Sequence, residues 1–116
     1  MVLARLRDDP TIADEALGFH AQQAIEKALK AVLLARDGRM RRTHDLVRLY
    51  GALRQHGMAL PCAVEELSVL TPFAVEYRYG ELAADMEEPL DRRQLHRLVN
   101  DILTWAEAQI ARRGAH

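Results

Sequence analysis

Apolar residues recur along this chain with the period of an α-helix, and the polar residues between them outline each helix separately. Between Phe19 and Ala35, the residues Ala21, Ala24, Ile25, Ala28, Ala31, Val32 and Ala35 fall on one arc of a helical wheel, while His20, Gln22, Gln23, Glu26, Lys27 and Lys30 fall on the other. Phe19, Leu33 and Leu34 lie within the polar arc. The polar groups are therefore expected to border a second contact surface, as a cleft or a dimer seam would.

Boundary signals divide the rest of the chain. Met1 to Asp9 reads as a short helical fragment with Val2, Leu3 and Leu6 apolar, ended by the turn at Asp8 to Pro10. Thr11 is a candidate N-cap for a helix running to about Asp37, where Gly38 stops it. Thr43 is a candidate cap for the next helix, which carries Leu46, Leu49, Tyr50 and Leu53 and closes at Gly57. Pro61 suits the first turn of a further helix bearing Val64, Leu67, Leu70, Ala74 and Tyr77, and Pro72 should kink or divide it. Gly80 to Pro89 reads as an acidic loop. A last helix from about Asp91 to Arg113 turns Leu95, Leu98, Val99, Ile102, Leu103, Ala106 and Ile110 inward. With no strand pattern, repeat or interdomain linker, the expectation is one all-α domain over residues 1–116, an up-and-down bundle of four to five helices with a short first helix.

Composition narrows the class. A chain of 116 residues with 49% hydrophobic and 28% charged side chains can bury its own core, and no apolar run approaches a membrane span or a signal peptide. A cytoplasmic location with no membrane is expected. The single cysteine, Cys62, has no partner for an internal disulfide; it reads first as a small buried residue, with a thiol activated at a helix start as the alternative. The net charge of -1 conceals a strong asymmetry: Lys27 to Arg54 holds eight bases and two acids, whereas Glu65 to Asp91 holds eight acids and one base, Arg78. Such a layout suits an anionic ligand near one end, or self-association that sets a basic face against an acidic one.

Three separated motifs sharpen the reading: FHAQQAIEKALKA at Phe19 to Ala31, THDL at Thr43 to Leu46, and LTPFAVEYRYG at Leu70 to Gly80. Together they resemble the HEPN domain, in the branch usually encoded beside a small nucleotidyltransferase, and the resemblance covers nearly the whole chain. Two departures stand out. Family members usually have a longer first helix, and they commonly read Arg-Tyr-Pro where this chain has Arg78-Tyr79-Gly80. The resemblance implies a helical bundle that often dimerises and serves in RNA cleavage, nucleotide binding or toxin-antitoxin pairing, with a nucleotidyltransferase as partner.

Ribonucleolytic members of that family use an arginine followed, after four to six residues, by a histidine. Such a pair needs no metal, because the imidazole can move the 2'-hydroxyl proton while the guanidinium holds the phosphate. Beyond Arg78 the corresponding positions hold Ala83, Ala84 and Asp85, so the histidine is missing there. Arg39 and His44 have the spacing but lie in the connector and the second motif. The candidate catalytic residues are thus Arg78 and His44, and the candidate nucleotide or RNA ligands are Gln23, Lys27, Lys30, Arg78 and Tyr79.

Each has a plainer role beside it. Arg78 can pair with Glu76 or the acidic loop, His44 can be a structural hydrogen-bonder, Lys30 can pair with Glu26 at i to i+4, and Tyr79 can pack in the core. Gln22 and Gln23 suit inter-helix hydrogen bonds. The five histidines are scattered without a metal-binding spacing, glycine-rich phosphate loops are absent, and neither a metal nor a cofactor is expected. Three functions remain in view: a nucleotide- or RNA-binding HEPN subunit, a metal-independent endoribonuclease, and a dimerisation module without a ligand.

Overall fold

The computed structural model describes residues 14–73 and 91–114. The N-terminal fragment, the Thr11 cap, the acidic loop, and Ala74, Tyr77, Arg78 and Tyr79 lie outside the described residues. The described chain is all-α, with α1 (Asp14–Asp37), α2 (Leu46–Gln55), α3 (Val64–Ser68), a 3₁₀ turn (Thr71–Phe73) and α4 (Arg92–Gly114). This is the helical bundle that the apolar pattern predicts.

α1 is the central element, packing against α4, α2 and the 3₁₀ turn. Its buried row is Leu17, Ala21, Ile25, Leu29 and Leu33, spaced by four, and each of these side chains is almost wholly withdrawn from water. Burial of a leucine- or isoleucine-sized group is worth about 1.5–3 kcal/mol, so this row is a large part of what holds the bundle. Leu46, Leu49 and Leu53 of α2, Leu67 of α3, Leu70, Phe73, and Leu95, Val99 and Ile102 of α4 complete the core.

The predicted apolar arc needs correcting at both margins. Leu33, placed in the polar arc, is fully buried, whereas Ala31 of the apolar arc is exposed. Ile110 of the last helix faces outward as well.

Helix ends follow local chemistry. Gly38 and Gly57 are the two described residues with positive φ, at 72° and 77°. After α1 the Gly38 N–H donates to Leu34 O; after α2 the Gly57 N–H donates to Arg54 O and the Met58 N–H to Leu53 O, a Schellman closure. The cap of α2 is Asp45 rather than Thr43: the Asp45 side chain accepts from the Val47 N–H, and Thr43 Oγ1 accepts from the Asp45 N–H one step earlier. Pro61 stands ahead of α3 rather than in its first turn, since α3 begins at Val64 with Ala63 at the N-cap. Pro72 does divide the predicted long helix, falling in the 3₁₀ turn after α3 has ended. Asp91 caps α4, its Oδ1 accepting from the Gln94 N–H.

The connector of residues 38–45 sets the direction of α2. Gln22 and Glu26 bond to His44 just before α2, and Asp37 bonds to His56 just after it. The chain therefore returns along α1 before α2 sets off, and α2 runs in the same sense as α1. This first pair departs from the expected up-and-down order, which tight turns would have produced.

Candidate functional site

The sequence Gln22-x3-Glu26-x3-Lys30 places three polar side chains one above the next on α1, on the flank of the buried row. Gln22 is fully buried and Glu26 nearly so. A carboxylate there must be well partnered, because an uncompensated buried charge is costly.

Glu26 is partnered on both oxygens. Gln22 Nε2 donates to Oε1 at 3.0 Å, and Oε2 accepts from Lys30 Nζ and from His44 Nδ1, both at 2.9 Å. Gln22 Nε2 also donates to the His44 carbonyl at 3.1 Å, and Gln22 Oε1 accepts from Gln23 Nε2 at 2.8 Å. Burial pushes the Glu26 carboxyl up, but the bonds from Lys30, Gln22 and His44, with the Lys30 charge, outweigh it, and the group titrates below its ordinary value. Glu26 is consequently a carboxylate at neutral pH. Nδ1 of His44 then carries the proton it donates, so Nε2 is the nitrogen left to meet solvent or a ligand.

The His44 side chain is 66% exposed, so this ring is fixed at one nitrogen and open to solvent elsewhere. Lys27, one turn back on α1, is exposed and has no hydrogen bond or ion pair among the described residues. Arg48 adds a further exposed cation, 3.9 Å from Asp45.

A second cluster closes the far end of α1. Arg41 grips Asp37 through two bonds of 2.6 Å, the Arg39 N–H donates to Asp37 Oδ1, and His56 Nε2 lies 3.0 Å from Oδ2. The Arg41 guanidinium, helped by the Arg39 N–H and by His56, holds the Asp37 carboxyl far below the usual carboxylate range despite some burial. Asp37 in turn raises Arg41. These bonds tie Arg39 to a point eleven residues from Glu26, about 16 Å along the helix, so the Arg39 to His44 spacing in sequence is not a pair in space.

A scan against protein-family models matches the HEPN domain over residues 14–109. The chain belongs to the HEPN domain family. No curated protein and no solved structure matches it. Within this HEPN domain, the first two motifs meet at the Glu26 network: FHAQQAIEKALKA supplies Gln22, Gln23, Glu26 and Lys30, and THDL supplies His44 and the Asp45 cap. Of the sequence candidates, Gln23, Lys30 and His44 come together there, Lys27 stands beside them on the outer face, and Arg78 and Tyr79 lie outside the described residues. Gln23 bonds to Gln22 within its own helix, whereas Gln22 makes the bond from α1 to the connector.

Sequence reasoning placed Glu26 only as the partner of Lys30 and did not find its bond to His44. The signal was faint: a carboxylate flanked at i−4 and i+4 by hydrogen-bonding groups, beside an apolar row. Asp37, Arg41 and His56 were missed as a cluster. Cys62 is the half-buried residue rather than an activated thiol; burial, with the charges of Glu66 and Asp101, pushes it up to about 11. Among the described residues, no group of three or more His, Cys, Asp or Glu is placed to hold a metal ion, and no helix is long and apolar enough to cross a membrane.

Proposed function

We propose that this HEPN domain is a cytoplasmic subunit that binds nucleotide or RNA as a homodimer, working with a separate nucleotidyltransferase in a toxin-antitoxin type of module. One observation carries the reading: a single buried carboxylate oxygen, Oε2 of Glu26, holds an ammonium from α1 and an imidazole from the connector at equal distance. A half-buried Lys30, an exposed His44 and a Lys27 with no partner among the described residues then form a preorganised face for phosphate, which pays little ordering entropy on binding. Arg78 and Tyr79 are proposed to add a guanidinium for phosphate and a ring for base stacking. The proposal is tested by titrating labelled single-stranded RNA and nucleotide with the chain, and by co-purification with a co-expressed nucleotidyltransferase. Binding lost in His44→Ala and Lys27→Ala supports it, and absence of every one of these interactions contradicts it.

A second reading, a metal-independent endoribonuclease, draws on the outward Nε2 of His44. The Glu26 carboxylate behind Nδ1 would steady the imidazolium that forms as Nε2 takes a 2'-hydroxyl proton, and Arg78 would hold the phosphate. That reading predicts RNA cleavage that survives a chelator and disappears in both His44→Ala and Arg78→Ala.

A further inference from the structure

The bundle carries an acidic groove and a basic prong at separate places, and the two are matched in chemistry. Between α3 and α4 lies a hollow of about 370 Å³. Its walls hold Glu65, Glu66, Asp91 and Asp101 against one base, Arg97, and its accessible apolar surface includes Val69, which is 60% exposed. This is a place where phosphate is repelled and a cation with an apolar body is favoured. The raised thiol of nearby Cys62, shifted first by burial and then by Glu66 and Asp101, reflects the same negative field.

The prong is the connector. Met40 is 75% exposed, the most exposed large apolar side chain among the described residues, and it stands between Arg39 and Arg42. Neither arginine has a side-chain partner among the described residues, and both face solvent. The loop beneath them is braced: Asp37 accepts the Arg39 N–H, and Arg41 donates both to Asp37 and to the Arg39 carbonyl at 3.0 Å. Met40 is thus held out on a fixed backbone, which lowers the ordering cost of inserting it into a partner.

We propose that the Arg39–Met40–Arg42 prong of one copy docks into the α3/α4 groove of a second copy, Met40 against Val69 and the two arginines against the carboxylate walls. Methionine suits an irregular apolar hollow, and arginine suits carboxylates through its forked donors. Because prong and groove are different patches, the contact is head-to-tail, separate from the homodimer seam proposed above, and joins copies into rings or chains. RNA has no part in this contact, so it stands apart from the function proposed above.

The test is sedimentation velocity on the full chain without nucleic acid, at about 0.05 M and about 0.5 M salt. One variant has a disabled prong, Met40→Asp with Arg42→Glu, and another a disabled groove, Glu66→Arg with Asp101→Arg; all four positions are exposed, and unchanged thermal melting confirms the fold. The parent is expected to show concentration-dependent association beyond the dimer that weakens with salt, each variant alone to lose that further association by about tenfold or more, and an equimolar mixture to recover it through the remaining intact prong and groove. A parent that does not associate, variants that associate like the parent, or a mixture no better than its components would each overturn the proposal.

Discussion

At the residue scale, Glu26 and Gln22 show how a polar pair can sit inside a small bundle without destabilising it. Gln22 spends its amide on Glu26, the His44 carbonyl and Gln23, so none of its capacity is stranded. Gln22→Leu keeps the volume but strands the Glu26 oxygen and the His44 carbonyl, and should lower stability by about 1–3 kcal/mol in chemical denaturation. His44→Ala should cost under about 1 kcal/mol, since most of the ring is already in water, while removing the proposed contact to ligand. Comparing the two separates a structural effect from a functional one.

The two depressed carboxyls also fix the pH response. Glu26 and Asp37 both have folded values below their ordinary ones, so their stabilisation is full above the ordinary carboxyl range and is lost progressively as pH falls from that range through the lowered folded values. The melting temperature of the parent should therefore decline below about pH 4, and Glu26→Gln or Asp37→Asn should start lower at neutral pH and decline less. Parallel curves for parent and variants would remove these carboxyls from the account.

At the element scale, two helical glycines predict effects of opposite sign. A Cβ added at Gly18 of α1 would come within 2.6 Å of the Phe73 ring, which is buried and has nowhere to move. Gly18→Ala should therefore destabilise, by about 1–3 kcal/mol, despite the better helix propensity of alanine. At Gly51 of α2 a Cβ meets nothing within 4 Å, and Gly51→Ala should stabilise by about 0.5–1 kcal/mol. Thermal melts of the two variants would reveal a wrong packing of α1 on the 3₁₀ turn if both moved the same way.

The elements also show what the sequence made legible. Helical periodicity located α1, α2 and α4, and the glycines at 38 and 57 marked two ends because only a positive φ turns the chain there. The buried flank of α1 was harder to see. Periodicity cannot tell a polar residue facing water from one facing a partner seven residues beyond the helix end, and Gln22, on the His44 carbonyl, and Glu26, on the His44 ring, are of the second kind. The Thr43 and Asp45 caps compete two positions apart, and either sequence is a plausible start; the choice depends on where His44 is pulled by Glu26.

At the scale of the whole molecule, the sorted charge becomes sorted surface. Lys27, Lys30, His44 and Arg48 are carried by α1, the connector and α2, while the acids of α3 and α4 line a separate groove. Binding of a polyanion at the first surface should weaken with salt, and each phosphate contact removed should reduce the logarithmic salt slope by about 0.7 for a single strand. Lys27→Ala is the clean probe, because its side chain holds nothing else in the described structure. The most direct test of the central claim is fluorescence anisotropy of a labelled single-stranded RNA titrated with the parent, Lys27→Ala and His44→Ala in chelator, at several salt concentrations and matched fold. Salt-sensitive binding by the parent, a shallower slope in Lys27→Ala and weaker binding in His44→Ala are expected. A parent that leaves the RNA free, or variants that bind it as the parent does, would contradict it.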